Sequence, residues 1–390
     1  MKIRGENPVC IAGAGMTAFG RHEDRSLRNL FAEATSTALA HAGIGAGEIG
    51  MVVAANSMAG MLQSQESVRG QVMLAGTQFA GVPVVNVENA CASSSSALQV
   101  ASWALLADRV DWILVVGYEK LFNPDKALTF SALASASDVP EDKRVGSIFM
   151  DFYASRARHH MDAYGTTVEQ MAAVSAKNRR HGALNPQAQF RDEVSVEDVL
   201  QSRVVADPLT LLMCSPISDG ASAVVLTRGD RLAVNAPVVA VKGLGLNSGD
   251  NTGPEFKTIR RTAWQAYAQA GIEPTDIDIA EVHDATAIAE IEACEALGFC
   301  ERGEGGGLAE SGVTTLGGSL PVNASGGLCS RGHPVAATGI AQICELTWQL
   351  RGECGERQVN NAAIGVAENH GGLVGDDVAV AAVTVLERIQ

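Results

Sequence analysis

Residues 91–108 read CASSSSALQVASWALLAD, and residues 333–350 read HPVAATGIAQICELTWQL. Each opens on small residues and continues with apolar positions dense enough for a helix buried on most sides. Laid over one another, they put Cys91 opposite His333. A second pair of segments supports the match. In ALAHAGIGAGEIGMVVAAN (38–56) and AYAQAGIEPTDIDIAEVHD (266–284), Ala40, Ala42, Gly43, Ile44 and Ile49 meet Ala268, Ala270, Gly271, Ile272 and Ile277 at one constant offset of 228 residues. Each copy is an alanine-rich helix pattern that ends at a glycine suited to a left-handed cap, followed by a short polar link and an apolar run with strand character. Two matches in the same order, the later one shifted by an insertion of about 14 residues, read as a chain written twice.

Alternating strand and helix patterns imply an α/β architecture of mixed sheets covered by helices. We read a first half over 1–236 and a second over 237–390, the latter opening with PVVAVKGLGLNSG. Between about residues 120 and 205 the texture changes. There KALTFSALASASDVPEDKRV (126–145) and RHGALNPQAQFRDEVSVED (180–198) are more polar and punctuated, as expected of an excursion or lid inserted into the first half. PLTLLMCSPISDGASAVVLT (208–227) then returns to core-like strand. GAGMTAFG near the start begins like a dinucleotide fingerprint, but its third glycine is misplaced and no partner acid follows, so a strand-ending turn is expected.

At 390 residues and 46% apolar, the chain has ample material for large cores. Its net charge of -15, from 44 acidic and 29 basic side chains, argues against a phosphate-tracking nucleic-acid binder. The eight cysteines form no CxxC pair and show no metal-ligand spacing, so reduced thiols in a cytoplasmic setting and no bound metal are expected. MKIRGENPVCIAGAG lacks the long apolar region of a secretory leader, and no segment offers about 18 uninterrupted apolar residues to span a membrane.

In VNVENACASSSSALQ (85–99) a β-branched stretch gives way to a helix pattern at Cys91. From composition alone Cys91 is one more small buried residue. A helix N-terminus, however, stabilises a thiolate, and its free N–H groups can face an oxyanion formed on an acyl group, so a lowered thiol pKa is expected there. Ser93 to Ser96 would keep the approach narrow. Duplication adds the partner: if the halves pack about a pseudo-twofold axis, the two helix starts meet, and a histidine is the natural base for a thiol.

VNVENACASSSSAL, VVGYEKL, CSPISDGASAVVL, EVHDAT, NASGGLCSRGHPVAATG and AENHGG fall in the order and spacing of the thiolase superfamily, and over nearly the whole chain the sequence resembles its sterol-carrier-protein-type, lipid-transfer-associated branch. The resemblance implies two similar halves in a five-layer αβαβα core, with an inserted loop domain over the coenzyme A site. It implies that Cys91 is the nucleophile that carries the acyl group, that His333 activates it, and that His283 of EVHDAT helps hold an enolate-forming thioester oxygen. Gly371 would offer its N–H beside that of Cys91 as an oxyanion hole, and Asp284 would be structural. Coenzyme A is implied as co-substrate, with no bound cofactor.

The chain departs from this family at one step. Such enzymes use a second acid/base cysteine, in a C-x-G motif or in an HDCF motif; here Asn369-His370-Gly371 and Ala285 stand at those places. His370, His283 or Cys329 could move the proton instead, and His370 could equally be a loop residue pointing away. His159, His160, Lys177, Asn178 and Arg179, in the expected loop domain, could meet a coenzyme A phosphate but read as solvated surface. The reading is an acyl-CoA thiolase, cleaving a 3-oxoacyl-CoA with coenzyme A or running the reverse Claisen condensation. Alternatives are an acyltransferase or retro-aldol subunit of the same fold, and a silent acyl-CoA carrier or scaffold. The resemblance further implies a homodimer, and a small zinc-ribbon/OB-fold partner subunit in relatives that lack the second cysteine.

Overall fold

The computed structural model describes residues 7–140, 147–232, 237–250 and 257–389. The first six residues, part of the 126–145 stretch and the junction between the two halves at 236 lie outside the described residues. The first half runs β1 (Val9–Met16), α1 (Leu27–Ala42), β2 (Met51–Ala55), α2 (Ala59–Gln63), α3 (Arg69–Leu74), β3 (Val84–Val87), α4 (Ser93–Leu106) and β4 (Trp112–Lys120). An excursion follows, with α5 (Lys126–Ala134), α6 (Ile148–Tyr164), α7 (Val168–Ala183), α8 (Val196–Gln201), β5 (Val204–Ala206) and β6 (Leu209–Thr210), before β7 (Asp219–Arg228) closes the half. The second half runs β8 (Val239–Ser248), α9 (Lys257–Ala270), β9 (Ile279–Glu281), α10 (Ala287–Ala296), α11 (Gly305–Glu310), α12 (Gly327–Arg331), α13 (Thr338–Arg351), β10 (Ile364–Val374) and β11 (Asp377–Arg388).

Nine strands form one mixed sheet in the order β3-β2-β4-β7-β1-β8-β11-β10-β9. Read outward from the β1/β8 seam, the order repeats: β7 and β11, β4 and β10, β2 and β9 occupy matching places. The seam is short, pairing Cys10 with Ala240 and Ile11 with Val239. Helices α4 and α13 pack against each other and against strands of both half-sheets, α1 covers the outer face of β1, β7 and β4, and α9 covers β8 and β11. The two halves of the sheet, on either side of the α4 and α13 layer and with α1 and α9 outside them, give the five layers expected from the sequence.

Local sequence explains the pieces. Ser26 caps α1 by accepting from the N–H of Asn29, and Leu27, Leu30, Phe31, Ala34 and Ala38 make its buried stripe at helical spacing. Gly43 ends it at φ 69°, and Gly271 follows α9 at φ 75°, as expected for the two caps. GAGM, expected as a turn, lies inside β1. Gly13 and Gly15 are there because α1 sits against them: a Cβ on Gly13 would stand 2.3 Å from the Ala38 carbonyl, and one on Gly15 would stand 2.5 Å from the Ala38 nitrogen. Gly243 and Gly245 of β8 meet the Ala266 and Thr262 carbonyls of α9 in the same way, at 2.2 and 2.3 Å.

The excursion also corrects the sequence reading. His159 is exposed, but His160, Lys177, Asn178 and Arg179 are buried. Lys177 Nζ lies 2.5 Å from Glu290 Oε1 and donates to the Val322 carbonyl, while Asn178 donates to Asp284 and Glu290. His160 meets Glu295 at 3.0 Å, and Arg179 stacks on Phe190 while donating to the Asp192 carbonyl. Polar residues of α6 and α7 are therefore consumed in docking the excursion onto α10 of the second half, where only paired charges can be buried.

Candidate active site

The two helix starts predicted to meet do so. Cys91 lies in a 3-10 turn, Ala90–Ala92, that leads into α4, and His333 stands one residue before the matching turn Val335–Ala337, separated from it by Pro334, ahead of α13. These turns pack on one another, and the Ile340 N–H donates to Ser94 Oγ at 3.0 Å. The Cys91 sulfur and one ring nitrogen each of His283 and His333 all lie within 4.8 Å of one another. The rings of His283 and His333 stand edge to face at 5.0 Å, and the His370 ring lies 4.3 Å from that of His283.

Each group is held by a different strand or turn. The His333 N–H donates to Ser218 Oγ, and its Nδ1 sits 2.7 Å from Thr338 Oγ1. Asn369 donates its amide to the Cys91 carbonyl at 2.9 Å and to Ser95 Oγ at 3.1 Å, which leaves its Oδ1 facing His283 Nδ1 at 2.6 Å. Nδ1 must therefore carry the hydrogen, and His283 keeps a lone pair on Nε2. Burial and the neighbouring His370 and His333 hold His283 well below the usual imidazole range; burial and Arg331 push His333 down to about 3. Both rings are neutral acceptors at physiological pH.

The expectation of a lowered thiol pKa is corrected. Helix α4 begins two residues beyond the sulfur, and burial, then Glu119 and Glu88, push the Cys91 thiol up to about 12, against N–H groups of Cys91 and Gly372 that act the other way. Removing an anion from water outweighs the turn's N–H groups. Cys91 rests as a thiol, and a base must take its proton as it reacts. Glu119, itself raised to about 7 by burial, accepts from Ser57, Met58 and Asn56 beneath the turn.

Gly371 is pressed against the Cys91 turn, where a Cβ would come 2.6 Å from the Cys91 nitrogen. The N–H turned toward the sulfur is that of the next residue, Gly372, at φ 63°. His370 points inward, its Nδ1 on Glu368 Oε1 at 2.8 Å and its Nε2 on the Tyr153 hydroxyl at 3.0 Å. Cys329 is buried with its thiol directed at the Asp284 carbonyl, and Asp284 accepts from the Leu328 and Cys329 N–H groups, a structural task. Tyr153 and Glu368 escaped the sequence reading: neither lies in a spacing pattern that signals chemistry, and Tyr153 comes from the excursion.

Cys91, His283, His333, His370 and Tyr153 line one cavity of about 470 Å³. Its remaining wall is largely apolar, with Phe130, Leu133 and Phe149 from the excursion facing Leu211 and Ile217. Such a site suits a ligand with an apolar body whose reacting carbonyl reaches the sulfur.

A thiol and neutral histidines at the joint of two duplicated α/β halves define a class of acyl-transferring enzymes, and comparison narrows it. "Thiolase, N-terminal domain" matches residues 9–230, and "Thiolase C-terminal domain-like" matches 247–388. The chain is 41% identical to an acetyl-CoA acetyltransferase of Methanothermobacter thermautotrophicus, over 97% of this chain and 99% of that one. It is 32% identical to sterol carrier protein 2 of Homo sapiens, over 93% of this chain and 70% of that one. Among solved structures it resembles an "Ltp2-ChsH2(DUF35) aldolase" (TM-score 0.80, 23% identity, 98% of both chains) and human mitochondrial 3-ketoacyl-CoA thiolase in complex with CoA (0.74, 15%, 98% of both). The chain belongs to the thiolase superfamily, including its sterol-carrier-protein-type branch.

Proposed function

We propose that this chain, an acyltransferase of the thiolase type, cleaves a 3-oxoacyl-CoA with coenzyme A, or condenses two acyl-CoAs, through an acyl group carried on Cys91. The observation that carries this reading is the sulfur and two imidazole nitrogens within 4.8 Å at the wall of an apolar cavity. In cleavage Cys91 adds to the 3-oxo carbonyl and the enolate of the shorter acyl-CoA departs. In condensation it first adds to an acyl-CoA thioester and coenzyme A departs. In each case His333 accepts the thiol proton, which goes on to the departing group. The negative oxygen is met by N–H groups of Cys91 and of the Gly371–Gly372 edge, and His283 faces the second substrate's thioester through the nitrogen that Asn369 leaves it. Coenzyme A is co-substrate.

The same reading extends to assembly. Strand β3 is a free edge of the sheet, beside a hollow of about 890 Å³ lined by Asn86, Glu88, Arg69 and Asn247, which supports a homodimer built across that edge. The likeness to an aldolase whose name includes a DUF35 component supports a small zinc-ribbon/OB-fold partner subunit. Eight unpaired cysteines suit a reducing cytoplasm, and no helix among the described residues is long and apolar enough to cross a membrane. A role in lipid metabolism follows from the acyl-CoA chemistry.

Mass spectrometry after incubation with a panel of 3-oxoacyl-CoAs tests the proposal. An acyl mass on the peptide containing Cys91, discharged by coenzyme A, is the expected result. A protein that consumes none of the panel and stays unmodified is a carrier or scaffold instead.

A further inference from the structure

The family's second cysteine is replaced here by Asn369, which is wholly occupied with Cys91, Ser95 and His283. Ala285, at the other usual place, is inert. A group that removes a proton from the α-carbon must therefore come from the remaining cavity wall. Two further thiols lie nearby, and each donates to a backbone carbonyl: Cys214, at the cavity wall, to Thr210 at 3.4 Å, and the buried Cys329 to Asp284 at 3.2 Å. His283 and His333 already have tasks on oxygen and sulfur.

Of the groups at that wall, which also include Lys126, Arg203 and Cys214, Tyr153 is the one whose hydroxyl is coupled to an acceptor behind it. It enters the cavity from α6, and its hydroxyl is 3.0 Å from His370 Nε2. Glu368 Oε1 takes the other ring nitrogen at 2.8 Å, while its Oε2 accepts the His283 N–H at 3.0 Å, so the carboxylate is fixed at both ends. Because a carboxylate only accepts, Nδ1 of His370 carries hydrogen, Nε2 carries a lone pair, and the tyrosine donates to it. The proton order is thus set: phenol, imidazole, carboxylate. Burial raises the phenol well above its usual range, with Cys91 and Glu368 adding to the effect, so Tyr153 cannot stand as a free phenolate and needs an acceptor behind it.

We infer that Tyr153 is the acid/base that exchanges the α-proton in this chain, with His370 and Glu368 as positioning residues that store the proton behind it. This rests on the thiolase reading. In condensation, the Tyr153 oxygen takes the α-proton while its own proton moves to His370 Nε2, and the electron pair of the C–H bond becomes the enolate. The enolate carbon attacks the Cys91 thioester, the new C–C bond forms and the C–S bond breaks. The proton stored on His370 returns through Tyr153 to His333, which hands it to the released sulfur and restores the resting thiol. In cleavage each step runs backwards, and the enolate carbon is protonated from Tyr153.

Two reactions of the intact protein separate the outcomes. Exchange of labelled coenzyme A with acetyl-CoA needs Cys91 and His333 but no α-proton, whereas thiolysis of acetoacetyl-CoA needs both. Tyr153→Phe keeps the ring and removes only the hydroxyl. The expected result is thiolysis kcat lower by about 10²-fold or more, with KM and the label-exchange rate changed less than about threefold. His370→Asn and Glu368→Gln should lower the same ratio in that order, and they carry the test should Tyr153→Phe fail to fold. A folded variant whose two rates fall together, or whose thiolysis is unimpaired, overturns the relay. Wild-type protein with no label exchange and no acyl-Cys91 instead sinks the thiolase reading beneath it.

Discussion

Two buried polar groupings sit on either side of the second half's β9–α10 connection, and they share no residue type. One joins Lys177, Asn178, Asp284, Glu290 and Asn323; every charge there ends on another buried group, and none of these five lines the cavity. The other joins Cys91, His283, His333, His370 and Tyr153, all of which line the cavity; hydrogen bonds hold the rings of His283 and His333 at Nδ1, and His370 is held at both nitrogens. The difference is access to the cavity. Paired charges sealed between α7 and α10 fix the docking of the excursion, and a grouping at a cavity wall is available to a ligand.

The comparison can be broken at its strongest point first. Cys91→Ser should lower thiolysis by about 10⁴-fold, because the nucleophile and its base act as one unit, and should abolish the acyl adduct while melting stays close to wild type. His333→Ala should lower both thiolysis and label exchange by about 10²- to 10⁴-fold in steady-state assays, since it serves the sulfur in each. On the other side, Lys177→Met leaves Glu290 buried without its cation, and urea midpoints should show a loss of about 3–5 kcal/mol. Activity per folded molecule should stay within about threefold. Loss of turnover without loss of stability would place Lys177 among the reacting groups.

The smallest effect is a pH test. His181, buried and held neutral between the Asn323 carbonyl and the Leu316 N–H, is lowered to about 3 by burial and by Lys177. The unfolded chain takes up a proton there near the ordinary value of 6.5 and the folded chain does not, so this group's stabilisation is full above about pH 6.5 and is lost as pH falls toward 3. From pH 7 to pH 5 the loss is about 2 kcal/mol. Glu119, Glu281 and Asp284, pushed up by burial, act in the opposite direction, but in both proteins alike. Unfolding at the two pH values should therefore show a shallower decline for His181→Gln than for wild type, by that amount.

The duplication was legible because it repeats residues whose roles are local: glycines that cap α1 and α9, and the small residues that let two turns touch. Pairing Cys91 with His333 followed from that symmetry. What stayed hidden was set by burial and by contacts from afar. Nothing in the polar pattern of α7 distinguishes a solvated face from one locked onto α10, because the partner carboxylates lie more than 100 residues away. The glycines of β1 resembled a turn because their reason, a helix backbone pressed on the strand, has no signature in the strand itself. Dipole reasoning at Cys91 failed because sequence shows where a helix starts but not how little water reaches it. Tyr153 had no pattern to give it away.

A sulfur kept protonated at the wall of a cavity has a chemical consequence beyond turnover. Peroxide and stray disulfides attack thiolates, and in the resting protein almost none is present at Cys91. The thiolate forms only when a ligand fills the cavity and an imidazole takes the hydrogen, so the arrangement protects its own reactive atom from oxidation between encounters.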